Sequence, residues 1–227
     1  SIVNGSTTEY VAWNFRAAPQ FMDIVTYDGA SDGQPQNISH SLGVTPGVMI
    51  VKNYAGVTTD DWYVYHKSLG ATQSIFLNEA EKAESRPTAW NDTEPTSQVF
   101  TVGQTGGSTN DVNNQYVAYL FADTPEKIKC GSYQGVDSGG TITEECGFRP
   151  GWILIKNATG ASDWTIFDFA RSNEYLSPNT DAAEANTGYP PIFTSNGFTI
   201  EYGNSDISVG SSNTFIYVAI GTNATAG

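Results

Sequence analysis

The chain has 227 residues, of which 39% are hydrophobic and 12% aromatic, so it can bury a core and is not a disordered chain. Its 24 acidic and 10 basic residues give a formal net charge of −14, which disfavours nucleic acid and anionic membranes as partners. The longest apolar stretch, 116–122, is far shorter than the roughly 20 residues of a membrane-spanning helix, so no membrane insertion is expected.

A short apolar motif recurs along the chain. Tyr10-Val11-Ala12-Trp13 returns as Tyr116-Val117-Ala118-Tyr119 and again as Tyr217-Val218-Ala219-Ile220. Between the last two occurrences, Asp163-Trp164 repeats the earlier Asp61-Trp62. Such self-similarity at a long period is typical of tandem structural repeats.

The repeat predicts the domain organisation. Residues 20–125 form a first complete repeat and residues 126–227 a second one, each ending with the Tyr-Val-Ala strand. Residues 1–19 are interpreted as the closing strand and linker of a preceding repeat, with Pro19 marking the linker. The chain is therefore expected to be part of a longer array.

The segments between the repeated motifs predict strands. Val48 to Lys52 and Trp152 to Lys156 are short apolar runs, and each follows a Pro-Gly pair that favours a turn. Charged residues make up only 15% of the chain, which is low for surface helices. The predicted fold is all-β, with two tandem β-sandwich domains of jelly-roll-like form. One helix is predicted, from Asn78 to Arg86, because that segment is rich in Glu, Ala and Lys and ends before Pro87.

A family resemblance follows from three strings of the sequence. They are 10–19 (YVAWNFRAAP), 64–71 (VYHKSLGA) and 90–93 (WNDT). Together they resemble a repeated domain of unknown function in bacteriophage structural proteins, and the resemblance covers essentially the whole chain. It implies a virion component, of a marine or cyanobacterial phage, that carries these modules in tandem, and it implies no catalytic residues.

Four aromatic residues are candidates for recognition. Trp90, Tyr189, Tyr54 and Tyr175 lie between the predicted strand blocks, where an exposed ring could stack on a sugar or fill a protein pocket. The alternative is that each ring forms a lid over one end of a sandwich. Trp62 and Trp164 align between the repeats and are predicted to belong to the core.

The sequence offers little for catalysis. His40 and His66 are the only histidines, and neither stands at a recognisable spacing from a nucleophile. A carboxylate pair for glycoside hydrolysis is left open, because such pairs meet only in the folded chain. Cys130 and Cys146 replace apolar residues of the first repeat, which predicts buried thiols, free in a reducing cytoplasm, with a disulfide as the alternative. No enzymatic activity is expected.

No cofactor is predicted. The loop from Asp28 to Gly33 and the stretch 204–206 offer oxygen ligands of the kind that calcium accepts, but they lack the spacing of an EF-hand loop. Calcium is the one ion for which the sequence gives any support.

The expected function is that of a bacteriophage virion structural protein, a tail fibre or tail-appendage module that contributes to host attachment. A capsid decoration or head-fibre protein and a free carbohydrate-binding protein are the alternatives. The expected location is the virion, assembled in the cytoplasm of the bacterial host. Expected partners are other virion proteins, further copies of the chain in a homo-oligomer, and a host-surface glycan.

Overall fold

The structure is a computed structural model that describes residues 10–56, 60–106, 109–171 and 173–222. This part of the chain contains 17 strands, one four-residue α-helix and one three-residue 3-10 helix. The prediction of an all-β, sandwich-type fold is confirmed. None of the helices in the described ranges is long and apolar enough to cross a membrane.

The first repeat is built on one large sheet. Its strands are β1 (Met22–Asp28), β2 (Gln36–Ser39), β3 (Pro46–Ala55), β4 (Tyr63–His66), β5 (Gln73–Phe76), β6 (Glu84–Ser85), β7 (Val99–Val102) and β8 (Gln115–Ala122). Six of them form a sheet in the order β1-β8-β3-β4-β5-β6, and β2 pairs with β7 in a small second sheet. The Tyr-Val-Ala strand β8 therefore lies inside the sheet, between the first and third strands of its repeat.

The second repeat has the same central arrangement. Its strands are β9 (Ile128–Gln134), β10 (Thr141–Glu145), β11 (Pro150–Asn157), β12 (Thr165–Asp168), β13 (Glu174–Tyr175), β14 (Ala185–Asn186), β15 (Ile192–Phe193), β16 (Gly197–Glu201) and β17 (Thr214–Gly221). The main sheet has the order β12-β11-β17-β9, with smaller sheets β10-β16-β15 and β13-β14. Strand β17 lies between β9 and β11, as β8 lies between β1 and β3. The sequence repeat is thus a repeat of topology. The alignment of Tyr217 with Tyr116 is wrong by two residues, because Tyr116 pairs with Tyr27 and Asn53, whereas the matching Tyr133 and Asn157 pair with Phe215.

Side-chain alternation along β17 shows how the layers stack. Ile216, Val218 and Ile220 belong to a core cluster shared with the first repeat. Tyr217 and Ala219 point to the opposite face and join a cluster formed by the second repeat alone. Because successive residues of a strand face opposite sides, β17 is buried on both faces. The four layers are the small β2-β7 sheet, the two main sheets and the β10-β16-β15 sheet.

The two main sheets pack through corresponding faces. Val48, Ile50 and Val64 of the first repeat meet Leu154 and Trp164 of the second around a small enclosed gap. Ile50 lies between Tyr119 and Val64 in its sheet, and Leu154 lies between Val218 and Ile166 in the other. The two residues therefore occupy equivalent positions in the two main sheets. The hydrophobic layer between the repeats is therefore formed by equivalent faces of the two main sheets.

The predicted helix from Asn78 to Arg86 is wrong. In the described structure only Glu84–Ser85 has regular structure there, as strand β6. The segment instead bonds to its surroundings: Ala80 O accepts a hydrogen bond from Ser162 N at 2.9 Å, and Ala83 N donates to Ala158 O at 2.9 Å. Contacts with the second repeat thus override a weak local helix propensity. The only described α-helix, α1, begins at Pro87 and ends at Trp90, with proline at its first position.

The segment predicted as the closing strand of a preceding repeat forms no strand between residues 10 and 17, and residues 1–9 lie outside the described part. Two of its aromatic rings anchor it. Phe15 contacts Phe121 and Trp152 edge-on, at centroid distances of 6.3 and 5.6 Å. Trp13 Nε1 donates to Asp168 Oδ2 at 3.2 Å. All strand pairs of the main sheets lie within one repeat, and the repeat boundaries stay a prediction.

Candidate functional site

Trp90 is not an exposed recognition residue. Its side chain is fully buried, and its ring meets Tyr65 edge-on at 6.0 Å. Helix α1 turns the indole inward before Asn91, which adopts a left-handed conformation with φ of 52° and ends the helix. Trp90 therefore covers the inner face of the first main sheet, and the expectation of a sugar-stacking ring at this position is wrong.

Tyr175 has the corresponding place in the second repeat. Its half-buried ring tilts against Phe167 at a centroid distance of 6.0 Å. Phe167 pairs with Ile153 of β11, just as Tyr65 pairs with Met49 of β3. Tyr175 and Trp90 are thus lids over equivalent positions of the two repeats.

Tyr54 is exposed over 57% of its surface near the end of β3. The register of β3 with β8 shifts around it, between the pairs that involve Asn53 and Ala55. Next to this strand end lies a polar depression, to which Asp28, Ser31, Gly56 and 113–115 contribute. The side chain is accessible, but no aromatic residue of the described chain lines this depression.

Tyr189 belongs to a larger apolar surface. Its ring lies against Gly203, where an added Cβ would come within 2.6 Å of it. Its backbone N donates to Thr187 Oγ1 at 3.2 Å, and Asn204 Nδ2 donates to the same oxygen at 3.2 Å. The ring is thus held in place while 47% of its surface stays exposed.

Three further exposed residues lie around Tyr189 and were not predicted from sequence. Phe169 and Ile192 line a groove with Phe193 and the two prolines 190–191, and Tyr202 precedes the glycine that supports Tyr189. We call Phe169, Tyr189, Ile192 and Tyr202 the Tyr189 patch. The guanidinium of Arg149 lies 4.1 Å above the Phe169 ring. The sequence feature that could have indicated this patch is the segment 189–193, which diverges from the first repeat.

The two histidines make structural hydrogen bonds. His66 is buried, its Nδ1 accepts from Ser68 N at 3.1 Å, and its Nε2 lies 3.1 Å from Tyr217 O. Nε2 must therefore carry the proton and donate it to the carbonyl. Burial lowers the pKa of His66 to about 4, so the ring is neutral at pH 7. His40 bonds the backbone in the same way, through Thr96 O and Leu42 N.

The prediction of two buried, free thiols is confirmed. Cys130 belongs to the core layer shared between the repeats, whereas Cys146 lies in the core of the second repeat alone. Burial raises the pKa of Cys130 strongly and that of Cys146 to about 12. Because thiolates are the reactive form, neither residue has the environment of a nucleophile.

Lys156 is fully buried at the junction of the repeats. Its Nζ donates to Ala80 O at 3.0 Å and to Ser162 O at 2.5 Å. Burial lowers its pKa to about 8. The corresponding Lys52 donates to Asp60 O at 2.5 Å, so the lysine has the same loop-holding role in both repeats.

The oxygen-rich loops bond to the chain itself. Asp28 Oδ1 accepts from Gln115 Nε2 at 3.1 Å, and Asp32 Oδ1 accepts from Gln34 N at 3.0 Å. In the stretch 204–206, Asn204 Oδ1 accepts from Asp206 N at 2.9 Å. Over the described ranges, no group of three or more His, Cys, Asp or Glu side chains could hold a metal ion.

Comparison with known proteins adds one finding. No curated protein and no solved structure matches the chain. A family model described as a domain of unknown function, DUF7483, matches residues 1–223, so a single match spans both repeats. The chain belongs to the DUF7483 family.

Proposed function

We propose that the chain is a bacteriophage virion structural module, part of a tail fibre or tail appendage, and that it contributes to host attachment. The observation that carries this proposal is the layer between the two main sheets, where polar groups of one repeat bond the backbone of the other. Trp164 Nε1 donates to Phe76 O at 2.7 Å, and His66 donates to Tyr217 O. The two repeats are thereby joined through one shared layer, which suits a structural module.

The chemistry of the buried groups supports a structural role over an enzymatic one. Burial displaces the pKa values of three side chains with catalytic potential, His66, Lys156 and Cys130. Each is placed in the layer between the repeats, and His66 and Lys156 bond main-chain carbonyls there. Displaced pKa values often mark active sites, but these groups face packed side chains and not a cleft. We infer that the protein acts through its surfaces.

Localisation on the particle tests the proposal. Mass spectrometry of purified virions should detect the chain, and immunogold labelling with an antibody against it should mark the tail. Virions that lack the chain would contradict the proposal. Labelling confined to the head would replace the tail assignment with the alternative of a capsid decoration or head-fibre protein.

A carbohydrate-binding function is the second candidate, favoured by the fixed and exposed ring of Tyr189. Sugar rings stack their C–H faces on such aromatic surfaces, and Tyr202 lies beside it. Tyr189→Ala should abolish binding on a glycan array to which the unmodified chain binds. Tyr54→Ala removes an exposed tyrosine from the other repeat and should leave the signal unchanged. An array without signal, or equal signals from both variants, would count against this function.

A further inference from the structure

Strand β1 forms one edge of the six-stranded sheet and has an open outer side. Ala122 N donates to Phe21 O at 2.9 Å, and Gly29 N donates to Asn114 O at 2.9 Å. In an antiparallel ladder, residues that exchange both hydrogen bonds with the partner strand alternate with residues whose groups point away. The N–H and C=O groups of Ile24, Thr26 and Asp28 therefore point away from β8.

Some of these outward groups already have partners. Ile24 N donates to Asp23 Oδ1 at 2.9 Å, and Asp28 O accepts from Gln36 Nε2 at 2.8 Å. Met22 exchanges hydrogen bonds with Ala18. Four groups have no partner among the residues that the structure describes: the C=O of Ile24, the N–H and C=O of Thr26, and the N–H of Asp28.

The corresponding edge of the second repeat also leaves the main-chain groups of Ser132 without a partner among the described residues, but it exposes less apolar surface. Ile24 and Cys130 occupy the same place in the two repeats, each opposite the Tyr-Val-Ala strand. Ile24 is 46% exposed, whereas Cys130 is 1% exposed, and Cys130 N donates to Asp123 Oδ1 at 3.0 Å. Proteins usually protect sheet edges with charges, bulges or covering segments. The edge of β1 carries the charges of Asp23 and Asp28 towards its ends, with an exposed isoleucine and threonine between them.

We propose that β1 pairs with β1 of a second copy of the chain, antiparallel and about a two-fold axis at Thr26. In this register Thr26 faces Thr26 of the second copy, and the two residues exchange both N–H···O hydrogen bonds. Each Asp28 N–H donates to the Ile24 carbonyl across the axis. The four open groups of each copy are all used.

The same register brings Ile24 N–H of one copy against Asp28 C=O of the other. These two groups therefore exchange their side-chain partners, Asp23 and Gln36, for main-chain ones. Pairing Ile24 with Thr26 would instead place Asp28 opposite Met22, whose groups are bonded to Ala18. The two-fold register sets no carboxylate opposite another, although the chain carries a net charge of −14. Self-complementarity of this kind favours a second copy over an unrelated strand.

The pairing surface is continuous with the layer between the repeats. Ile24 pairs with Tyr119 of β8, which in turn pairs with Ile50 of β3. Exposure falls along this row, from the exposed Ile24 through the half-buried Tyr119 to the buried Ile50. A second chain at β1 therefore extends the main sheet of the first repeat, one face of which already packs against the second repeat.

Sedimentation velocity of the 227-residue chain over a concentration series tests this inference. The unmodified chain should form a dimer of twice its 24.4 kDa mass. Thr26→Pro removes the central donor but no bond to β8, and edge strands accept proline. It should raise the dimer dissociation constant at least about tenfold. Ser132→Pro changes the matching position of β9 and should leave the dimer intact.

A second variant keeps the test decisive if Thr26→Pro does not fold. Thr26→Lys keeps the backbone donor and places two like charges across the axis, so it should also dissociate the dimer while circular dichroism stays unchanged. A chain that is monomeric throughout the series would overturn the inference. So would a trimer, or a dimer that both folded Thr26 variants retain.

Discussion

The imidazole of His66, in the first repeat, donates a hydrogen bond to the main-chain carbonyl of Tyr217, in the middle strand of the second, over 3.1 Å. Tyr217 is the motif tyrosine by which the repeat is recognised in the sequence. Its own hydroxyl donates to Glu144 Oε2 at 3.0 Å on the opposite face. The strand that defines each repeat is therefore also a main contact between the repeats.

Acid should weaken the fold through His66. Its pKa is about 4 in the folded chain and near 6.5 when unfolded, so its contribution is complete above pH 6.5 and is lost as the pH falls towards 4. The loss amounts to about 3 kcal/mol at most. Urea unfolding at pH 7.5 and pH 4.5 measures it.

The control for this prediction is His66→Asn, which keeps a side-chain donor and cannot titrate. The difference in unfolding free energy between the unmodified chain and this variant should shrink as the pH falls. A difference that is independent of pH would show that His66 does not titrate across this range. Carboxyl groups titrate equally in both proteins, so they cancel in the comparison.

Trp164→Phe should destabilise the chain by about 1–3 kcal/mol, because it leaves the buried Phe76 carbonyl without its donor. Trp62→Phe is the matched control, since Trp62 stands at the corresponding position but is only half-buried. It should cost less than about 1 kcal/mol. Chemical unfolding of both variants shows whether the destabilisation comes from loss of this hydrogen bond or from a general change in packing.

One asparagine in each repeat bonds the loop before the fourth strand of that repeat, and the two should contribute equally to the free energy of unfolding. Asn78 accepts from Trp62 N and donates to Asp61, both at 2.8 Å. Asn179 accepts from Trp164 N at 3.0 Å and donates to Asp163 at 2.7 Å. Each Asn→Ala change should cost about 1–2 kcal/mol. In the double variant the two costs should add, and a large coupling measured by urea unfolding would contradict independent contributions.

Both thiols should be inert in the folded chain. Cys130 and Cys146 are buried with raised pKa values, so a thiol reagent at pH 8 should label them only after unfolding. The measurement is the labelling rate with and without denaturant. Cys146→Ser should leave one slow thiol, and fast labelling in the native chain would show that one of the cores opens.

The repeat and the all-β class were predictable because they are written in local patterns. The Tyr-Val-Ala motif and the alternating apolar residues need no knowledge of distant contacts. The wrong helix at 78–86 shows the limit, since Ala80 and Ala83 bond to the second repeat. Local composition carries no information on such partners.

The candidate site was predicted only in part. Tyr189 and Tyr54 are exposed as a recognition residue requires, whereas Trp90 is buried by a turn at Pro87 and a contact with Tyr65. The rest of the Tyr189 patch comes from three separate segments of the second repeat. Their convergence depends on tertiary packing, which sequence spacing does not reveal.

The central claim is that the two repeats share one hydrophobic layer and form a single structural unit. Differential scanning calorimetry tests it most directly. A single transition is expected, with the calorimetric enthalpy equal to the van't Hoff enthalpy. The variant Trp164→Phe should shift that transition to a lower temperature without splitting it. Two separate transitions in the unmodified chain, or a calorimetric enthalpy about twice the van't Hoff value, would contradict a shared layer.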